Sequence, residues 1–237
     1  EIYDNEGGNG GGMYLESSNP SIEKTRLQKN ITDNNGGGIY MENSNPILKY
    51  VIITDNNTII EGSSGAGIFL FDSNPSLINV TISNNISDTS AGIALSSSNP
   101  TIINSIIQNN YPNGIKVFNS TPLIKFSDIY KLDLSWDQGG NIDTSPLFTD
   151  PINGDYSLQD SSPCIDAGIA FYELDEDTLI NMNSDEYYGS APDMGAFEWY
   201  PDSLSISDVL IPSKYHIEPA YPNPFNPTST IKFTLPN

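Results

Sequence analysis

Aliphatic residues recur along the first half of the chain at fixed offsets from five prolines, Pro20, Pro46, Pro75, Pro100 and Pro122. Eight residues before each proline stands a glycine: Gly12, Gly38, Gly67, Gly92 and Gly114. The next residue is aliphatic (Met13, Ile39, Ile68, Ile93, Ile115), and so is the residue two further on (Leu15, Met41, Leu70, Leu95, Val117). That spacing puts both on one face of a short strand. Two residues after each proline comes a third aliphatic position (Ile22, Leu48, Leu77, Ile102, Ile124), and seven after it a fourth (Leu27, Ile53, Ile82, Ile107, Ile129). The prolines lie 26, 29, 25 and 22 residues apart, so one arc of the repeat has a fixed length and the other absorbs insertions. Ile2 and Asn5 fall where a preceding coil would end, which extends the array from about residue 2 to about residue 130.

Polar positions follow the same count. Ser18-Asn19, Ser44-Asn45, Ser73-Asn74, Ser98-Asn99 and Ser120-Thr121 precede the prolines, and Asn30, Asn56, Asn85 and Asn110 stand ten residues after the first four, a series that Leu132 breaks. The strands this pattern predicts are too short and too far apart to pair as hairpins. Stacking equivalent positions at about 4.8 Å accounts for them as short parallel strands. The aliphatics then pile into ladders that fill the interior. Asn19, Asn45, Asn74 and Asn99 form one asparagine ladder at a turn, and Asn30, Asn56, Asn85 and Asn110 a second, each satisfying backbone groups between coils. One coil cannot bury its own core, so the array is cooperative with its neighbours. A leucine-rich repeat has a similar period and also uses asparagine, but return arcs such as residues 80–90, "VTISNNISDTS", carry no helical period.

Composition narrows the function classes. Asparagine, a poor helix former and a poor strand residue, occurs 27 times, which an architecture built on asparagine turns would use. The formal charge of −21 is uneven: residues 1–130 hold 12 acids and 6 bases, residues 131–237 hold 18 acids and 3 bases, and no Lys or Arg lies between Lys131 and Lys214. Such a chain repels phosphate backbones and anionic lipid, so nucleic acid is not an expected partner. No apolar run approaches the roughly 18 residues of a transmembrane helix. The single cysteine, Cys164, can form no internal disulfide and reads as a small buried hydrophobe; the single histidine, His216, leaves no Cys/His metal set.

Two further strings carry a resemblance. Residues 140–168, "GNIDTSPLFTDPINGDYSLQDSSPCIDAG", and 192–198, "PDMGAFE", together with the coils, resemble the right-handed parallel β-helix repeat family of secreted bacterial proteins. The family often carries an acidic D-x-D-G-x-x-R stretch between these strings; residues 173–188, "ELDEDTLINMNSDEYY", lack its Gly and Arg. Residues 221–236, "YPNPFNPTSTIKFTLP", are similar to the opening of C-terminal sorting domains of the type IX secretion pathway, of which only a first strand over 230–235 is present. The resemblances imply an all-β protein, a right-handed parallel β-helix (solenoid) with coils over 1–132, a C-terminal end and cap over 133–199, a linker over 200–220 and a truncated sorting domain over 221–237. They imply export by the type IX machinery to the medium or the outer cell surface. The proline-rich tail is expected to be extended and open to proteases.

The expected role is a non-catalytic module in adhesion or glycan binding, with glycans or cell-surface components as partners. A polysaccharide lyase or glycoside hydrolase of pectate-lyase-like fold is the enzymatic alternative, and a structural spacer a third. A lyase needs an Arg or Lys base beside carboxylates that hold Ca²⁺, and Arg26, the array's only arginine, precedes inward Leu27 and so points outward. Glu16 and Glu42 occupy equivalent positions on successive coils and are the weak catalytic candidates, since two carboxylates one coil apart approach the separation a retaining glycosidase uses. Asp175, Glu176, Asp177, Asp185 and Glu186 are the densest acids and the only calcium candidates; no cofactor is otherwise expected. Tyr14, Tyr40 and Phe69 form an outward aromatic stripe that could meet sugar rings.

Overall fold

Short strands of like sequence meet in register. In the computed structural model, which describes residues 1–133, 135–201, 216–217 and 233–234, Met13–Glu16, Ile39–Glu42, Ile68–Phe71, Ile93–Ser96 and Ile115–Phe118 form one five-stranded parallel sheet. Ser21–Glu23, Ile47–Lys49, Ser76–Ile78, Thr101–Ile103 and Leu123–Lys125 form a second. Ile2–Tyr3, Arg26–Gln28, Ile52–Thr54, Thr81–Ser83, Ile106–Gln108 and Asp128–Ile129 form a six-stranded third. Ile68 pairs with Ile39 on one side and Ile93 on the other, and Ile82 pairs with Ile53 and Ile107, so each repeat position stacks on its equivalent. The chain is a parallel β-helix, and the four aliphatic columns are its core: Ile39, Ile68, Leu70, Leu77, Ile82, Ile93 and Ile102 are fully buried.

Close stacking explains the glycine that opens each repeat. A Cβ on Gly67 would stand 2.5 Å from the carbonyl oxygen of Gly92 in the next coil and 2.9 Å from Ile82 Cγ2. Three left-handed corners bend each coil between its strands. They fall just after the glycine strand (Ser17, Asn43, Asp72, Ser97, Asn119), four residues after the proline (Lys24, Tyr50, Asn79, Asn104, Phe126) and nine after it (Lys29, Asp55, Asn84, Asn109, Lys131), all with φ between 46° and 60°. An L-residue pays about 1–2 kcal/mol for this conformation, which Asn and Asp tolerate best.

Polar ladders tie the corners together. Asn30 N and Nδ2 donate to Asn56 Oδ1 at 2.9 and 3.0 Å, Asn56 does the same to Asn85 at 3.0 and 2.9 Å, and Asn85 to Asn110 at 3.1 and 2.9 Å, all buried. At the serine corner Ser44 N donates to Ser73 Oγ and Ser73 N to Ser98 Oγ, each at 3.0 Å. The Asn19, Asn45, Asn74 and Asn99 row is exposed, and it runs the other way: the backbone N–H of each later coil donates to Oδ1 of the earlier one at 2.6 Å.

Residues 133–199 do more than cap the end. Asp137 and Ile142 bridge to Ile124 and Asp128 as a partial sixth coil, and Leu132 and Trp136 pack on the end of the core. The chain then runs back along the outside of the six-stranded sheet. Arg26 Nη1 donates to the Gly154 carbonyl at 2.8 Å, Asn84 Nδ2 to the Tyr156 hydroxyl at 3.0 Å, and Ala196 N to Thr81 Oγ1 at 2.9 Å. Ile52 and Ile106 pack with Phe148, Tyr156, Leu158 and Met194 in a second core outside the coil. This is why Ile52–Thr54, Thr81–Ser83 and Ile106–Gln108 are buried on both faces.

The chain divides into two units, Glu1–Trp199 and Tyr200–Asn237. In the second, Phe233–Thr234, within the strand expected over 230–235, pairs antiparallel with His216–Ile217, inside the stretch expected to be a linker. The remainder of the expected linker and sorting-domain start, and with it the expected protease-sensitive tail, lies outside the described residues.

Replacing Ile68 by Ala removes a fully buried side chain stacked between two others. It should cost about 2–4 kcal/mol in urea unfolding. A loss below about 0.5 kcal/mol, the range of surface substitutions, would place Ile68 outside the core.

Candidate functional site

The first sheet turns alternate residues to solvent. Tyr14, Tyr40 and Phe69 stack with ring centroids 5.2 Å apart and interplanar angles of 6° and 8°. In that geometry the ring faces cover one another and present edges outward, so a polymer along the stripe meets ring edges and not ring faces. Beside it, Glu16 and Glu42 are register partners on adjacent strands, and the next two places in the column hold Phe71 and Ser96. The Tyr14 hydroxyl donates to Glu42 Oε2 at 3.0 Å. That bond, with lesser contributions from burial and from the charges of Glu42 and Glu16, pushes the Tyr14 phenol up to about 12. Glu16 is exposed and Glu42 partly exposed.

Of the calcium candidates, Asp175 and Glu176, with φ of 50° and 73°, are the two-residue turn of the hairpin Phe171–Leu174/Asp177–Asn181. The second strand carries the chain away from that tip before Asp185 and Glu186. Glu186 Oε2 accepts from Asn183 N and Nδ2 at 2.7 and 3.0 Å. Among the described residues no group of three or more His, Cys, Asp or Glu is placed to hold a metal ion.

Carboxylates that composition did not single out lie where residues 133–199 meet the coils. Asp128 is buried; its Oδ1 accepts from Gln108 Nε2 at 2.7 Å and Thr144 N at 3.1 Å, and its Oδ2 lies 3.5 Å from Cys164 Sγ. Burial, only partly offset by these bonds, pushes its carboxyl up to about 6. Burial and the neighbouring Asp128 charge likewise raise the Cys164 thiol far above its ordinary value, so the sulfur is an unreactive core atom. Asp166 Oδ1 accepts from Ser190 N and Ala191 N, Asp193 from Asp166 N and Trp199 N, and Glu198 from Tyr188 N and Asp193 N. Burial pushes Asp193 up to about 6 and Glu198 up to about 7. The acids of "CIDAG" and "DMGAFE" are therefore knots that close the chain on itself.

A cleft of about 660 Å³ opens near the start of the array. Lys24, Arg26, Tyr50 and Ile52 form its coil side, and Phe197 and Glu198 line it from the segment 192–199. Its position follows from the corner four residues after each proline. Asn79 Nδ2 donates to the carbonyls of Asp193 and Gly195, and Asn104 exchanges bonds with Ile169 N and O, clamping the flank at the third and fourth corners. The first two corners carry Lys24 and Tyr50, which line the gap instead.

The fold and its stacked columns define a parallel β-helix protein. Residues 1–131 match the model of the family described as right-handed β-helix region, and the chain belongs to that family. It matches no curated protein and no solved structure. No helix among the described residues is long and apolar enough to cross a membrane.

Asp128 gives this junction a pH dependence. Its folded pKa is raised from 3.8 to about 6, so its ionisation opposes folding: the full stability is present below about pH 4 and is lost as pH rises through 6. Asp128→Asn keeps an acceptor for Gln108 and Thr144 without the charge. It should stabilise the protein by about 1–3 kcal/mol at pH 8, about half as much at pH 5, and little at about pH 3.5. Urea midpoints at pH 8 and about pH 3.5 check this, and an equal effect at both would refute it.

Proposed function

We propose that this chain is an extracellular module, secreted or held at the cell surface, that binds glycans without cleaving them and serves in adhesion. The observation that carries the reading is the repetition of its exposed face. The first three coils display an outward aromatic column (Tyr14, Tyr40, Phe69), a column of Glu16, Glu42 and Phe71, and an asparagine row (Asn19, Asn45, Asn74), in register on adjacent strands. Adjacent strands lie about 4.8 Å apart. An extended polymer lying along the axis would meet the same donors and acceptors coil after coil, and linked weak contacts of this kind add up to useful avidity. The resemblance of residues 221–236 to type IX sorting domains supports export.

A lyase or hydrolase reading finds less support. Glu16 is exposed and Glu42 partly exposed, and Glu42 is engaged by Tyr14. Arg26 spends one donor on the Gly154 carbonyl, away from both.

Affinity electrophoresis against a panel of neutral and acidic polysaccharides tests the proposal. Retardation by at least one polymer is expected, weakened about tenfold in a Tyr14→Ala/Tyr40→Ala variant that remains folded. Polygalacturonate, with or without Ca²⁺, should emerge uncut. Unsaturated product that disappears in Glu16→Gln or Glu42→Gln would overturn the non-catalytic reading, and retardation by no polymer would overturn glycan binding.

A further inference from the structure

We propose that the cleft between Lys24, Arg26 and Tyr50 of the coils and Phe197 and Glu198 of the segment 192–199 is a second binding site, and that it takes one neutral pyranose ring. The inference shares with the reading above only its class of ligand; it rests on a different part of the surface and a different set of groups.

The cleft has the make-up such a ring needs. One wall is apolar: Ile52 and Ala196 are almost fully buried, while Tyr50 and Phe197 are partly exposed and line the opening. Among the described residues, neither Tyr50 nor Phe197 belongs to a ring stack like that of Tyr14, Tyr40 and Phe69. They are therefore better placed than that stripe to lie against the C–H face of a sugar.

The polar groups are of both kinds. Arg26 has five N–H donors and commits Nη1 to the Gly154 carbonyl, and Lys24 adds an exposed ammonium. Glu186 and Glu198 supply acceptors. Glu198 is held rigidly, since Oε1 and Oε2 each take a backbone N–H, from Tyr188 at 2.9 Å and Asp193 at 3.1 Å. Burial first, and then the charges of Glu186 and Glu198, raise the Tyr50 phenol, so it stays a hydroxyl donor.

Charge selects among sugars. Lys24 and Arg26 oppose Glu186 and a Glu198 that burial holds about half-protonated near pH 7, so the cleft carries little net charge in a chain of formal charge −21. A uronate would meet Glu186 and Glu198 as well as Arg26 and Lys24, and an amine the reverse. A neutral ring, each of whose hydroxyls both donates and accepts, can use both sets. The volume of about 660 Å³ lies in the range of small-molecule sites and holds a ring with its substituents, while an extended polymer would have to leave it.

Saturation-transfer NMR and calorimetry on the full chain test the proposal, with methyl β-glucoside, methyl β-galactoside and galacturonate as probes. At least one neutral glycoside should bind, and more tightly than galacturonate. Phe197→Ala and Tyr50→Ala should each weaken it tenfold or more. Lys24→Gln, which alters an exposed side chain and leaves the core untouched, should weaken it threefold or more, and covers the case in which the aromatic variants fail to fold. Tyr14→Ala/Tyr40→Ala should leave it unchanged. Absence of glycoside binding, tighter binding of galacturonate, or binding that survives in folded cleft variants would overturn the proposal. Loss of polysaccharide retardation with glycoside binding intact would instead count against the array face alone.

Discussion

The backbone amides of each coil point along the stack and not at the coil's own residues, so almost nothing in this protein is satisfied locally. Gly38 N reaches the Ala66 carbonyl, Gly67 N reaches Ala91, and Ile93 N reaches Gly114, each in the next coil. A buried amide left unpaired costs about 1–3 kcal/mol, so a coil that slipped by one residue would lose many bonds together and turn its aliphatics outward. The corner ladders enforce the register from both sides. The buried asparagines donate from earlier coil to later, and the exposed asparagines receive from later coil to earlier. With that register held, the left-handed corners persist even where Lys29, Tyr50 or Phe126 occupies them.

The same stack decides where binding surfaces arise. A parallel sheet exposed on one face is unusual, and here the six-stranded sheet is covered by residues 142–199 while the glycine-strand sheet is left open to solvent. The covered sheet becomes a second core, with Tyr156 fully buried against Phe148 at 5.2 Å edge to face. The open sheet becomes a periodic display. Between the two regimes, where Lys24 and Tyr50 replace the clamping asparagines, the cover lifts and the cleft forms.

Much of this was legible in the sequence for one reason: a repeat shows its geometry by recurrence. The aliphatic columns, the buried asparagine row and the in-register Glu16 and Glu42 all follow from counting offsets to five prolines. The aromatic stripe was legible as a column but not as a stack whose faces are hidden, because ring orientation is set by χ angles that spacing does not encode. The left-handed corners are Asn or Asp at eight of fifteen places, and the Lys, Tyr, Ser and Phe at the others dilute that signal. The flank was illegible for a different reason. Arg26 and Gly154 are 128 residues apart, and Asp55 and Tyr156 101, with no periodicity linking them. The cleft inherits that blindness, since Tyr50 and Phe197 come from opposite ends of the unit. The acids over 175–186 were legible as a cluster in sequence, but not their division between a hairpin turn at Asp175 and Glu176 and the chain beyond its second strand. A usable signal for the true buried acids was their place inside "CIDAG" and "DMGAFE", where fixed spacing around Gly suits a knot of carboxylate-to-amide bonds.

The account stands on the claim that corner amides are locked by side chains of the neighbouring coil. Native-state hydrogen exchange measures this directly. The backbone N–H groups of Asn30, Asn56 and Asn85 should exchange as slowly as those of the strand residues Ile68 and Ile93, although they lie at chain reversals. If they exchange at the rate of the exposed turn around Glu61 and Gly62, the ladders do not hold the coils in register and the account fails.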